Sequence, residues 1–191
     1  MRRTILYILL DTSESMSGLS IGSANDLVTN LAQHFLAETH ARNICNAKIV
    51  ILGIGAELSI LSDTDIGSFS WTDVGGSGMT NINETLIELG KRIGDGDRNI
   101  IILVSDGGFT DEYANSLLLL MEHRAFFDAY RVSIAIGAEC DKEQLSFFCD
   151  GQNEVMTVAQ IDKVNALISQ SLVEEEKNDS GIMADLSDCW D

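Results

Sequence analysis

The stretch "TILYILLDTSESMSG" (residues 4–18) passes from seven residues suited to burial straight into a loop of oxygens. A near-continuous apolar run of this length reads as a strand buried on both faces of a parallel sheet, because a half-exposed strand would alternate apolar with polar. Asp11, Ser13 and Ser15 then occupy every second position, with Gly18 and Ser20 just beyond. Two readings of that loop stand side by side. Polar residues mark the place where any buried strand surfaces; equally, three hard oxygen ligands can be aimed at one metal ion.

Outward from this strand, short apolar runs alternate with helical periodicity. A helix is expected over about 22–41, where Ala24, Leu27, Leu31 and Phe35 form one stripe. "AKIVILGIG" (47–55) is a second strand, and "ELSILS" (57–62) follows it after only a Gly-Ala break. That break is too short for a crossover, so these two strands should pair antiparallel. Asn81 or Thr80 can cap a helix running to about Arg92, with Glu84 three residues after Asn81 as in a capping box. "NIIILVS" (99–105) is a further buried strand, after which Thr110 and Asp111 open a helix to about Phe127. "RVSIAIG" (131–137) and the weaker "EVMTV" (154–158) complete the strands, with a short helix capped by Asp141 between them and a last helix over "AQIDKVNALISQSLV". The alternation implies an α/β fold: a doubly wound, Rossmann-like, mainly parallel sheet with one antiparallel edge strand and helices on both faces. In such sheets ligands sit beyond the carboxyl ends of the strands, so the loops that follow strands hold the site.

Composition narrows the function classes. The 191 residues carry a net charge of −18, with 45% hydrophobic and 22% charged residues, an ordinary globular mixture. After Val173 come seven acids and one base, Lys177, a net of −6 that leaves −12 for the rest. The expected organisation is therefore one domain over residues 1–173 and an acidic, flexible tail over 174–191. The tail's "GIMADLSDCWD" includes Ile182, Met183, Leu186 and Trp190, apolar residues suited to a short docking peptide. Nucleic acid is excluded as a partner, because phosphate contacts need clustered Lys and Arg. No window approaches the roughly 20 apolar residues that cross a bilayer, which excludes a membrane partner of that kind. The basic start "MRR" and the apolar run after it resemble a leader, but the run ends in Asp11 with no small-residue cleavage site. Cys45, Cys140, Cys149 and Cys189 show no CxxC or zinc spacing, and reduced thiols in a cytoplasmic protein are expected over a Cys140–Cys149 bridge.

Three loops carry the chemistry. The first supplies Asp11, Ser13 and Ser15; "GGSGMTN" (75–81) supplies Thr80; the loop after "NIIILVS" supplies Asp106, followed by Gly107 and Gly108. Taken singly, each is a cap or a turn former. Taken together, on loops that open on one sheet edge, they offer two carboxylates and three hydroxyls. That donor set suits Mg²⁺, Mn²⁺ or Ca²⁺ and suits zinc poorly.

"LLDTSESMSG", "GGSGMTNINETL" and "LVSDGGFTDEY" resemble the three loops of the metal-ion-dependent adhesion site of von Willebrand factor type A domains. The family pattern is D-x-S-x-S, then Thr, then Asp, and Asp11, Ser13, Ser15, Thr80 and Asp106 match it position for position. The resemblance spans about residues 4–173. The first loop and the size are similar to TerY-type proteins of bacterial tellurite-resistance and stress operons, although Glu14 stands where the common D-x-S-G-S has Gly and proline is absent throughout.

The resemblance implies one divalent cation, Mg²⁺ first with Mn²⁺ or Ca²⁺ as alternatives, and an open coordination position that takes an acidic side chain of a protein partner. It implies direct contacts from the serines and Thr80, with one or both aspartates acting through water. It also implies a cytoplasmic bacterial setting, with kinase- or phosphatase-type operon proteins as partners. No enzyme is expected. His34, His40 and His123 fall on predicted helices away from the loops, no nucleophile elbow or phosphate loop is present, and neither Ser13 nor Ser15 has a general base nearby. Two alternatives remain: a metal-assisted phosphohydrolase using Asp11 and Asp106 as ligands, and a structural subunit with a vestigial metal site. Trp71 is expected to cover the core edge near the loops.

Overall fold

The computed structural model describes residues 2–151 and 154–184, with side chains as far as Val173. Six strands form one sheet: β1 (Thr4–Asp11), β2 (Ala47–Ile54), β3 (Ser59–Asp65), β4 (Arg98–Ser105), β5 (Tyr130–Ala135) and β6 (Met156–Thr157). Their order is β3-β2-β1-β4-β5-β6, and every pair is parallel except β2–β3. All eight residues of β1 are buried, as the apolar run requires of a central strand. Alternation of side chains across the strand divides them between two cores. Leu6, Ile8 and Leu10 pack with helix α1 (Leu19–Ala41) and helix α6 (Ile161–Ala184). Ile5, Tyr7 and Leu9 face α2 (Asn83–Arg92), α3 (Ala114–Met121), α4 (Arg124–Phe127) and α5 (Lys142–Ser146). The expected doubly wound, mainly parallel sheet with one antiparallel edge strand is therefore the fold.

Several boundaries differ from those the sequence suggests, each for a physical reason. Helix α1 starts at Leu19, three residues early, with Gly18 ahead of it at φ +77°. Strand β3 runs on to Asp65, where Lys48 and Arg92 hold the Asp63 carboxylate. Helix α2 does not begin at Thr80 or Asn81, and Glu84 closes no capping box. Their backbone is engaged elsewhere: Asn81 N–H donates to the Gly55 carbonyl at 3.1 Å, and Thr80's carbonyl accepts from Thr110 N–H at 3.0 Å. The helix starts at Asn83, and the cap comes from another loop. Asp111 accepts from Ile82 N–H at 3.1 Å and from Asn83 N–H at 2.7 Å. With Asp111 so used, the helix expected from Thr110 to Phe127 begins only at Ala114, and the extended backbone at His123 divides it into α3 and α4.

Asp141 caps α5 as expected, accepting from Gln144 N–H at 3.0 Å. The backbone of α6 is helical to Ala184, beyond the boundary expected at Val173. Leu186, Cys189 and Trp190 lie outside the described residues, as do the side chains of Ile182 and Met183, so the docking expectation for the tail does too. Among the described residues Cys45, Cys140 and Cys149 are free thiols. No described helix is long and apolar enough to cross a membrane.

The Asp111 cap joins α2 to the loop after β4, which makes it testable apart from any ligand. Asp111→Ala should lower the unfolding free energy by about 1 kcal/mol, the usual worth of a lost N-cap. Urea denaturation checks this, and an unchanged midpoint would refute the cap.

Candidate metal centre

Strands β1 and β4 lie side by side, and both end on the same edge, so Asp11 and Asp106 leave the sheet as neighbours. Asp11 is fully buried. Its Oδ1 accepts from Ser13 N–H at 2.9 Å, which turns the chain sharply after the strand, and its Oδ2 accepts from the Ser105 hydroxyl at 2.5 Å. The turn brings the Ser13 and Ser15 hydroxyls to 2.9 Å of each other. Asp106 folds back on its own loop: Oδ1 accepts from Gly108 N–H at 3.0 Å, and its carbonyl accepts from Asp141 N–H at 2.7 Å. Gly107 adopts φ +85°, and a Cβ there would lie 2.5 Å from the Asp141 carbonyl oxygen, so both conformation and space select glycine.

The Thr80 loop is stitched to the other two by backbone bonds. Ser77 N–H donates to the Thr12 carbonyl at 2.8 Å, and Glu14 N–H donates to the Gly78 carbonyl at 2.9 Å. Gly76 passes so close to the first loop that a Cβ would sit 2.6 Å from the Ser13 carbonyl oxygen. From the far side, the Thr110 hydroxyl and N–H both donate to the Thr80 carbonyl. Thr80 is only 3% exposed, and these bonds use its carbonyl rather than its hydroxyl. The three loops are thus one hydrogen-bonded unit carrying all five expected residues on one edge.

Electrostatically the unit is loaded. Burial pushes the Asp11 carboxyl above the usual carboxylate range; hydrogen bonds from Ser105 and Ser13 pull it back, and the nearby Asp106 charge raises it further. Two acids and hydroxyl oxygens held together without a cationic side chain form a site that a divalent cation can neutralise, and every donor is a hard oxygen.

Ser105 escaped the sequence reading, and its role is structural to the site. It donates to Asp11 and accepts from Gly107 N–H at 2.9 Å, so it links the first loop to the third. The only signal was a lone hydroxyl closing an apolar strand. Asn25 was missed as well: buried on α1, its side chain bonds Val74 N–H, the Val74 carbonyl and the Trp71 indole N–H, pinning the segment that leads into the Thr80 loop. Trp71, stacked near Phe69 at 6.4 Å, covers the core edge as expected. The histidines stand apart: His34 joins α1 to α6 through the Asn165 carbonyl and Ser169 hydroxyl, His40 ends α1, and His123 precedes α4.

Solved structures share this arrangement of strands and helices. BatB from Bacteroides thetaiotaomicron superposes at a TM-score of 0.64 with 15% identity, covering 91% of this chain and 99% of that one. A von Willebrand factor type A protein from Catenulispora acidiphila gives 0.64 with 12% identity, covering 89% and 43%. Proximal thread matrix protein 1 of the mussel byssus, with a zinc-occupied metal-ion-dependent adhesion motif, gives 0.60 with 13% identity, covering 90% and 46%. The chain has the von Willebrand factor type A fold. It spans less than half the length of the mussel and Catenulispora proteins. No protein-family model and no curated protein matches the sequence.

On this fold Asp11 is strained electrostatically by its own position, which sets a stability test. A carboxyl that is harder to ionise in the fold than in the unfolded chain takes stability away as pH rises through and above its unfolded value. Asn at the same position removes the buried charge, keeps an acceptor for Ser13 N–H, and turns the Ser105 contact round so that its NH₂ donates to the Ser105 oxygen. Asp11→Asn should therefore raise the metal-free unfolding midpoint at neutral pH, with the gain fading as pH falls below about 4, where the unfolded carboxyl is itself protonated. A lower midpoint in chelator at neutral pH would contradict this.

Proposed function

We propose that the three loops bind one divalent cation and that the cation holds an acidic group of a protein partner. The observation that carries the reading is the Ser13–Ser15 hydroxyl pair, held 2.9 Å apart by a turn that Asp11 itself locks. Ser13, Ser15 and Thr80 would contact the ion, with Asp11 and Asp106 orienting them and its waters from behind. Hydroxyl ligands add little negative charge, so the ion keeps the Lewis acidity to accept a carboxylate from outside. Mg²⁺ is the first assignment on hardness and abundance of oxygen donors, with Mn²⁺ and Ca²⁺ as alternatives.

The reading assigns the chain no catalytic step. His34 is engaged between two helices, and the carboxylate beside Ser13, that of Asp11, is already taken by the Ser13 N–H and the Ser105 hydroxyl. The likeness of the first loop to TerY-type proteins supports a cytoplasmic role in a bacterial stress or tellurite-resistance system, with kinase- or phosphatase-type proteins as partners.

Calorimetric titration of the chelator-stripped chain with Mg²⁺, Mn²⁺ and Ca²⁺ tests the ion. One site is expected, lost in Asp11→Ala and weakened at least about tenfold, or about 1.4 kcal/mol, in Thr80→Ala. Binding that survives Asp11→Ala with unchanged affinity would refute the assignment.

A further inference from the structure

The metal edge of this domain is predominantly acidic, with Lys142, exposed at the start of α5, a base beside its loops. The loops on the metal edge span residues 12–18, 55–58, 69–82, 106–113 and 136–141, and they contain no Lys, Arg or His. They present six exposed acids: Glu14, Glu57, Asp73, Glu112, Glu139 and Asp141. Among the described residues no three acids, histidines or cysteines gather into a metal cage, so this charge is spread as a collar. Beside it stand two exposed apolar side chains: Leu19, 92% exposed at the start of α1, and Met79, 58% exposed next to Thr80. At its centre Thr80 is 3% exposed with its hydroxyl outside the bonds to Thr110.

Such a collar constrains what can dock. A carboxylate approaching the ion must cross a field of its own sign, and within a Debye length of about 8 Å that field is not screened away. A partner that is acidic or neutral around its ligand residue would be repelled from the site its carboxylate needs.

We infer that the metal edge accepts a protein face rich in Lys or Arg around a single carboxylate, seated on Leu19 and Met79. This rests on the proposed ion and deepens it by naming the partner's chemistry. Charge complementarity selects this occupant over a second copy of the chain. On the opposite edge Arg3 pairs with Asp97, Lys48 with Asp63, Arg92 with Glu88 and Asp63, and Arg124 with Asp128, while Arg2 and Arg98 donate to the Asp97 and Leu172 carbonyls. They offer no unbalanced positive plate to a neighbouring copy.

Three fluorescent peptides, titrated into the full chain at saturating Mg²⁺, test the inference: a glutamate flanked by lysines, a glutamate flanked by serines, and the lysine-flanked peptide with glutamine in place of glutamate. The lysine-flanked glutamate should bind at least about tenfold more tightly than the serine-flanked one at low ionic strength. The gap should close towards about 1 M salt, where the Debye length falls to about 3 Å. It should also close in a variant carrying Glu14→Gln, Glu57→Gln and Glu139→Gln, while Leu19→Ser with Met79→Ser should weaken both glutamate peptides. Equal binding of the two glutamate peptides, or no binding by either, overturns the inference. Sedimentation showing self-association that the triple variant abolishes overturns it too, in favour of a second copy. If the glutamine peptide binds as tightly as its glutamate counterpart, the basic face stands and the carboxylate-to-ion reading falls.

Discussion

One buried carboxylate organises the upper half of this domain. Asp11 ends the central strand, where burial on both faces leaves no route for the side chain to reach bulk water. An ionised group in that position must find donors, and it finds two: the Ser13 amide on its own loop and the Ser105 hydroxyl on the neighbouring strand. The first bond shapes the turn that sets Ser13 against Ser15. The second fastens β1 to β4 where both leave the sheet, and Ser105 passes the connection on to Gly107. Hydrogen bonds to a charged acceptor of this kind are each worth about 1.5–3 kcal/mol, against the larger cost of leaving the carboxylate unpartnered.

The remaining loop geometry follows from close approach. Gly76 lets the Thr80 loop lie against the Ser13 carbonyl, and Gly107 lets the Asp106 loop lie against Asp141. Backbone bonds then join the three loops, and the same segment yields Asp111 to cap α2. The result concentrates oxygen and negative charge on one edge, while the opposite edge balances its arginines and lysines with neighbouring acids. The proposed cation site and the acidic loops around it therefore share one charge distribution.

The parts of this fold legible in the sequence are those with a local cause. The runs 4–10 and 99–105 announce central strands because both faces are buried, and the short break at Gly55–Ala56 leaves β3 no option but to turn back. Asp11, Ser13, Ser15 and Asp106 sit where β1 and β4 leave the sheet, so topology brings them to one edge, whereas β3 ends at the opposite edge and Thr80 returns along the segment that Asn25 pins. What escaped depends on contacts distant in sequence. The cap of α2 comes from Asp111, 28 residues beyond Asn83, and no window around Thr80 contains it. Ser105 reads as the polar end of a strand until Asp11, 94 residues earlier, is placed beside it. The late start of α3 at Ala114 goes with the same use of Asp111, and the division of α3 from α4 with the extended backbone at His123.

The central claim is that these oxygens face one ion. Diffraction from crystals of the chain grown with Mn²⁺, recorded for the metal's anomalous signal, tests it most directly. The account predicts a single anomalous peak among the Ser13, Ser15 and Thr80 hydroxyls, with Asp11 and Asp106 behind it, and no such peak in crystals of Asp11→Ala. A peak elsewhere on the molecule, with none between these three loops in the unaltered chain, would contradict it.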